Sequence, residues 1–203
     1  MIIRFMGMSM SETVISGERG ILNPRETFLQ AGIILLSTEG PDGLSMSGIL
    51  AQARKPRGSF YAAYDSKDAY MAALIHRYFQ PSTEILELFA ANAESGSDDT
   101  IRAWASYCEQ RHVLAAGRGE RIVSLTEMGG RCQKSSVTAD TCEALFRTRT
   151  QALGKIMAAA EFISVPDSEL RACLLLAMLD GVESRASAMG KPELIRQFFT
   201  FLF

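Results

Sequence analysis

Apolar residues recur at helical spacing along most of this chain. Positions i, i+3, i+4 and i+7 are repeatedly apolar from about residue 24 onward, and no stretch alternates in the manner of a β-strand. The pattern therefore predicts an all-α fold. Helices are expected near 24–39, 46–53, 56–64, 66–78, 101–116, 122–130, 139–162, 167–190 and 192–203, with a further helix that starts or bends at Pro81.

Two short predicted helices flank a basic break at residues 54–56, a unit typical of a helix-turn-helix. Ser45 is placed to cap the first helix by accepting a backbone N–H. Pro56 separates the helices, because the residue before a proline avoids the helical region and proline suits a first turn. Phe60 and Tyr64 lie one turn apart on the predicted buried side of the second helix. The apolar face of the first helix consists of Met46, Ile49, Leu50 and Ala53.

The outer face of the second helix has the chemistry of a DNA-contacting surface. It is predicted to carry Arg57, Ser59, Tyr61 and Ala62. Arginine neutralises phosphates, while hydroxyls hydrogen-bond to phosphate or base edges. Residues 54–67 hold four basic side chains and one acidic one, whereas the chain beyond Gln80 holds 13 basic and 16 acidic. A basic patch on a chain of net charge −2 is the pattern expected of a DNA reader with a separate body.

This stretch resembles the DNA-binding domain of the TetR family of one-component transcriptional regulators. Residues 25–40, RETFLQAGIILLSTEG, are similar to the first helix of the family, which also ends in a glycine. The resemblance covers about the first third of the chain. Without a gap, the family pattern is matched by Ile49, Ala53, Gly58, Phe60, Tyr61, Tyr64, Lys67 and Asp68.

The resemblance implies a DNA-binding domain at 23–68, preceded by a flexible arm at 1–22 and followed by a ligand-binding and dimerisation domain at 69–203. It also implies a homodimer that pairs the helices at 139–162 and 167–190 and reads a palindromic operator in double-stranded DNA. The other helices of a single monomer are not expected to bury the apolar surface of both helices. The residues expected to contact DNA are Ser45, Lys55, Arg57, Gly58, Ser59, Tyr61 and Lys67.

Three residues depart from the family pattern. Arg54 replaces the turn glycine, Lys55 replaces an apolar turn residue, and Ala62 replaces a frequent polar contact. Arg54 must either adopt a glycine-like conformation or belong to a reshaped turn. These departures motivate an alternative function, a ligand-binding or protein-interaction module on the same fold with weakened or lost DNA binding.

The middle helices supply apolar side chains with a few polar groups, as a pocket for a small, largely apolar effector requires. An ordinary packed core explains the same residues one by one, so both interpretations stay open at this point. The expected effector-binding residues are Phe89, Trp104, Tyr107, Cys108, His112, Met128 and Phe146.

Other classes of protein have little support in the sequence. Only two histidines occur, His76 and His112, and neither has metal or nucleophile spacing around it, so we predict neither an enzyme nor a cofactor. The four cysteines form no C-x-x-C pair, which argues against zinc and a disulfide framework. The apolar run at 172–179 is too short to cross a membrane, and we expect a cytoplasmic protein.

Overall fold

The computed structural model describes residues 23–93, 99–132, 136–159 and 168–202, and within these ranges it contains helices and no strand. This confirms the all-α prediction. The predicted arm at 1–22 lies outside the described residues. The helices are α1 (Pro24–Thr38), a 3₁₀ turn (Pro41–Gly43), α2 (Met46–Ala53), α3 (Arg57–Ala63), α4 (Lys67–Ala91), α5 (Asp99–Gly117), α6 (Leu125–Cys132), α7 (Ser136–Ala159), α8 (Ser168–Met189) and α9 (Glu193–Leu202). None of these helices combines the length and the apolar character that crossing a bilayer demands.

The start and end of α1 follow the local sequence signals. The Asn23 side chain accepts a hydrogen bond from the Glu26 backbone N–H at 2.9 Å, and Pro24 occupies the first helical position. Such a cap satisfies one of the backbone N–H groups that a helix start leaves unpaired. After the helix, Gly40 has a φ of 75° and leads into the predicted turn.

Helix α4 runs without interruption through Pro81, so the prediction of a helix that starts there is wrong. Proline removes one hydrogen bond from the helix ladder. The hydroxyls of Ser82 and Thr83 donate to the Phe79 carbonyl at 3.0 Å, and α4 packs along α7, the most extensive helix pair in the described chain. Tertiary packing of this kind contributes more to a long helix than the missing bond costs.

The glycine pair at 129–130 does not end a helix, which corrects a second prediction. Helix α6 begins at Leu125, after Ile122 rather than at it, and continues past both glycines to Cys132. A glycine costs about 1 kcal/mol in a helix relative to alanine. Met128 is fully buried, and a Cβ at Gly129 would lie 3.6 Å from the ring of Phe146 on α7. The packing of α6 on α7 therefore keeps these residues helical.

The late helices are close to their predicted ranges. Helix α7 begins at residue 136, three residues before the predicted start at 139, and α8 matches 167–190 to within a residue at each end. The predicted end of α7 at 162 and residue 167, the predicted start of α8, lie outside the described residues. Both helices pack against each other, and α9 packs on α5 and α8.

Most of the buried apolar side chains in the described ranges belong to two clusters that α4 connects. One cluster fills the small helices at the start of the chain and continues into Val123, Leu125 and Met128. The other lies in the body around Trp104, Leu153 and their neighbours on α8 and α9. The domain boundary predicted after residue 68 falls at the second residue of α4. This helix therefore packs in both apolar clusters and connects the small helices to the body.

Candidate nucleic-acid interface

Helix α2 ends in a turn that gives Arg54 a left-handed conformation. The Ser45 Oγ caps the helix by accepting the Gly48 backbone N–H at 3.0 Å, as predicted. Arg54 has φ 52° and ψ 42°, and it is the non-glycine residue with positive φ in the described chain. Its N–H and that of Lys55 donate to the carbonyls of Ala51 and Leu50. Of the two alternatives for Arg54, the structure has the glycine-like conformation, which costs about 1–2 kcal/mol for an L-residue.

Helix α3 starts one residue later than the sequence suggests. Pro56 is the extended residue before the helix, with ψ 157°, rather than its first helical residue. Its carbonyl accepts the Ser59 backbone N–H at 3.0 Å. At the other end, Tyr64 returns to an extended conformation, and its hydroxyl donates to the Arg25 carbonyl at 3.0 Å. This bond ties the end of α3 to the start of α1.

An aromatic cluster fixes the orientation of α3. Phe60 is fully buried, and its ring centroid lies 5.2 Å from that of Phe28 and 5.2 Å from that of Tyr70, both in edge-on geometry. The Tyr64 ring lies 5.7 Å away. The Tyr70 hydroxyl donates to the Phe28 carbonyl at 2.9 Å, and burial raises the pKa of that phenol. The predicted buried side of α3, Phe60 and Tyr64, is confirmed.

Tyr61 lies on a different side of α3 from Phe60 and is 47 % exposed. Its ring is held between the edge of Phe60, with centroids 5.4 Å apart, and the guanidinium carbon of Arg57, 5.7 Å from the ring centroid. Arg57 and Tyr61 are four residues apart, so they share a helix face. The phenol hydroxyl and the guanidinium are thus presented together from a rigid base.

The other residues expected to contact DNA are also at the surface. Lys55, Gly58 and Lys67 are exposed, and Ser59 is half-buried. A Cβ at Gly58 would meet no atom within 4 Å, so another molecule can approach this side of α3 closely. Ser45 is exposed, although its Oγ already serves as the α2 cap. These contacts remain predictions.

The residues expected to bind an effector belong to two apolar clusters of the described chain, and their role stays a prediction. Phe89, Trp104, Tyr107 and Cys108 belong to the body cluster, where burial raises the pKa of the Cys108 thiol to about 12. Met128 and Phe146 belong to the cluster that continues from the small helices. Of the residues expected to bind an effector, His112 on α5 lines a cavity of about 360 Å³, which lies where α1, α5 and α8 approach one another.

Two buried carboxylates that the sequence analysis did not single out lie on α8, and one of them lies close to His112. Glu183 of α8 is 4 % exposed, with its Oε1 3.7 Å from the Arg111 Nη2 and 4.0 Å from the His112 Nδ1. Asp180, one turn earlier, accepts the Thr126 hydroxyl at 2.5 Å, and burial raises the pKa of its carboxyl. Two acids that follow closely on the apolar run 172–179 were the available signal, because a buried carboxylate needs a partner.

Comparison with known proteins gives one partial sequence match and several structural ones. No family model matches the chain. The transcriptional repressor NemR of Escherichia coli K12 is 31 % identical over 80 residues, which are 39 % of this chain. The matched segment spans 40 % of the length of that repressor.

The structural matches extend over most of the chain. The reduced form of E. coli NemR superposes with a TM-score of 0.67 at 20 % identity, covering 86 % of this chain and 93 % of that one. Regulatory protein TetR from Rhodobacter sphaeroides gives 0.74 at 18 % identity, with 88 % and 96 % covered. SCO4454, a TetR-family transcriptional regulator from Streptomyces coelicolor, gives 0.64 at 19 % identity, with 87 % and 90 % covered. The chain therefore has the fold of the TetR-family transcriptional regulators, with an N-terminal helix-turn-helix and a larger C-terminal helical region.

Proposed function

We propose that this protein is a dimeric, sequence-specific DNA-binding transcriptional regulator, a repressor that a small ligand releases from a palindromic operator. The observation that supports this most is the outward pair Arg57 and Tyr61, held on α3 by the buried ring of Phe60. A cation and a hydroxyl on a short exposed helix are suited to phosphate and base-edge contacts. The names of the similar proteins agree with this function.

The dimer is proposed to form through α7 and α8. Leu170, Leu174 and Met178 recur every four residues on α8 and are 56 %, 55 % and 48 % exposed. Val137 at the start of α7 is 51 % exposed. An exposed apolar stripe of this kind on α8 is buried when a second copy pairs with it about a two-fold axis, and with α7 beside it the pairing makes a four-helix bundle. Two α3 helices would then face successive half-sites.

Replacing Tyr61 with alanine is expected to weaken operator binding by about tenfold on every sequence tested, because a hydroxyl bound to phosphate contributes affinity without specificity. The wild-type protein should bind a short palindrome at nanomolar concentration with a strong salt dependence. Mobility-shift titrations on operator variants selected from random DNA measure both effects. The Phe201→Ala variant is the matched control, because Phe201 is 84 % exposed on α9 and is outside the proposed interface.

The Tyr61→Phe variant removes the hydroxyl and keeps the ring. Because the hydroxyl makes the proposed contact, this variant should bind the operator as weakly as Tyr61→Ala does. A loss confined to one base substitution would contradict the phosphate-contact role. A wild-type protein without any sequence preference at low salt would contradict the regulator itself.

The strained conformation of Arg54 favours a second candidate, a ligand-binding or protein-interaction module whose DNA affinity is weakened or lost. Arg54→Gly is expected to raise the free energy of unfolding by about 0.5–1 kcal/mol, since glycine adopts the left-handed region freely but is more flexible when unfolded. Urea denaturation measures this change. Arg54→Ala, which removes the guanidinium and keeps the Cβ, should show no such gain.

The Arg54→Gly variant also distinguishes the two candidate functions. Under the regulator proposal, DNA binding by Arg54→Gly should stay close to that of the wild type. Under the second candidate, sequence-specific binding should appear in Arg54→Gly and be absent from the wild-type protein.

A further inference from the structure

We propose that Arg25, near the start of α1, is a further DNA-contacting residue, which binds the phosphate backbone at the edge of the major groove opposite to the edge that Arg57 binds. This inference rests on the proposed function and adds to it a contact from a helix outside the helix-turn-helix. The contacts expected from the sequence all fall within residues 45–67, so Arg25 is not among them.

The Arg25 side chain lies on the ring of Tyr64 at the end of α3. Its guanidinium carbon is 4.7 Å from the centroid of that ring. A cation at this distance is attracted by the negative face of the aromatic system. The Tyr64 hydroxyl in turn donates to the Arg25 backbone carbonyl at 3.0 Å. The main chain and the side chain of Arg25 are therefore both fixed to the end of α3.

The Tyr64 ring borders the outward side of α3. Residues three and four apart are neighbours on a helix surface, so Arg57 lies beside Tyr61, and Tyr61 lies beside Tyr64. The Arg57 guanidinium lies over the Tyr61 ring, and the Arg25 guanidinium lies over the Tyr64 ring. This row of side chains therefore has an arginine at each end, and both arginines are exposed.

The length of α3 suits contacts with both edges of the groove. The helix has seven residues, which extend about 10 Å at a rise of about 1.5 Å per residue. The major groove of B-DNA is about 12 Å wide and is bounded by the two phosphate backbones. A helix of this length in the groove brings its two ends toward the two backbones. Arg57 at one end and Arg25 at the other are therefore placed to bind phosphates of opposite strands.

The charge of Arg25 is available for a phosphate. Its chain neighbour Glu26 pairs with an arginine of α4 at 3.3 Å. The Tyr64 ring attracts the guanidinium without neutralising it. Around the end of α3, Lys67 is an exposed cation and Asp65 is an exposed acid, so the surface there is mixed in charge. The contact is therefore expected from the position of Arg25 itself, and its test must count individual phosphate contacts.

The salt dependence of DNA binding counts such contacts on the full chain. Each phosphate contact contributes about −0.9 to the slope of the logarithm of the binding constant against the logarithm of the salt concentration, because a counterion is released. Arg25→Gln should therefore reduce the magnitude of the slope by about 0.9 for each bound protomer and weaken binding about tenfold on every operator variant. Arg25→Lys, which keeps the charge, should keep the slope. Arg102→Gln, at an exposed position on α5, is the matched control and should bind as the wild type does.

A purely structural role for Arg25 gives a different result. If its guanidinium only held Tyr64 in place, Arg25→Gln would weaken binding and leave the slope unchanged, and this outcome would overturn the inference. The urea midpoint of the variant should stay close to that of the wild type, because the side chain is exposed. If Arg25→Gln does not fold, Arg25→Met provides the same measurement, since its side chain can still cover the Tyr64 ring.

Neutralising single phosphates locates the contact on the DNA. A methylphosphonate at one position of the operator removes one backbone charge. The wild-type protein should lose affinity at the phosphate that Arg25 binds, whereas Arg25→Gln should lose none there, because its contact is already absent. Arg57→Gln should become insensitive at a phosphate of the other strand. Wild-type sensitivity of Arg25→Gln at every position would overturn the inference, and the same insensitive phosphate for both variants would overturn the assignment to opposite edges.

The two proposals fail separately. Sequence preference is measured by comparing an operator with unrelated duplexes, and the salt slope is measured on one duplex. A wild-type protein that prefers an operator, with a slope that Arg25→Gln leaves unchanged, contradicts this inference alone. A wild-type protein without sequence preference, with a slope that Arg25→Gln reduces, contradicts the regulator proposal and leaves the phosphate contact intact.

Discussion

Replacing Phe60 with alanine is expected to lower the free energy of unfolding by about 3–5 kcal/mol and to abolish operator binding. The ring is fully buried and contacts Phe28 and Tyr70 edge-on, so its removal leaves a cavity at the centre of the small helices. Helix α3 would lose the anchor that sets its orientation. Urea denaturation followed by circular dichroism measures the change.

A second measurement shows which part of the protein the substitution destabilises. Trp104, the single tryptophan, lies in the body cluster, so its fluorescence reports unfolding of the body. In Phe60→Ala, part of the helical signal should disappear at lower urea than the fluorescence transition. Tyr61→Ala, the exposed neighbour, should change stability by about 1 kcal/mol or less. Wild-type stability in Phe60→Ala would mean that the aromatic cluster does not hold α3.

The features that sequence predicted well are those with local causes. The cap by Ser45 depends on a side chain and a backbone N–H three residues away, and it is present. The buried and exposed sides of α3 follow from helical spacing alone, because Phe60 and Tyr64 share one face and Tyr61 falls on another. The candidate DNA-contacting residues were accessible to the same reasoning.

The features that sequence reasoning missed depend on distant contacts. Pro81 and Gly129 are usual places for a helix to end, yet each lies inside a helix that packs along α7. Local propensity differs by about 1–3 kcal/mol between residues, and the burial of a long helix face exceeds that. No sequence pattern within α4 or α6 shows that α7 is the helix against which their buried faces pack.

The candidate effector site shows the same limit more sharply. Apolar spacing identified buried residues on the middle helices but did not say which interior surfaces leave a gap between them. Of the seven residues expected there, His112 borders the cavity, and its neighbours Arg121 and Ser187 come from a loop and from α8. A cavity lined by segments as far apart along the chain as Thr38 and Ser187 is apparent only from the tertiary structure.

The buried charges on α5 and α8 have a measurable consequence that sequence alone did not anticipate. The Arg111 side chain is 16 % exposed and Glu183 is 4 % exposed, and their charged groups lie 3.7 Å apart. Burial lowers the pKa of Arg111, but the Glu183 carboxylate, together with Tyr107, Cys108 and Tyr78, outweighs burial and raises that pKa. Such a pair is costly to break on one side, because the remaining charge is then buried without a counterion.

Glu183→Gln is therefore expected to lower the free energy of unfolding by about 3 kcal/mol, while the double variant Arg111→Leu with Glu183→Leu should recover most of that loss, since an apolar pair leaves no charge to desolvate. Urea denaturation of the three proteins measures both changes. The exposed pair Arg196 and Glu109 is the control, and Arg196→Ala should unfold close to the wild type because water screens that contact. A double variant no more stable than Glu183→Gln would mean that the carboxylate stabilises α8 through contacts other than Arg111, with His112 the next partner to test.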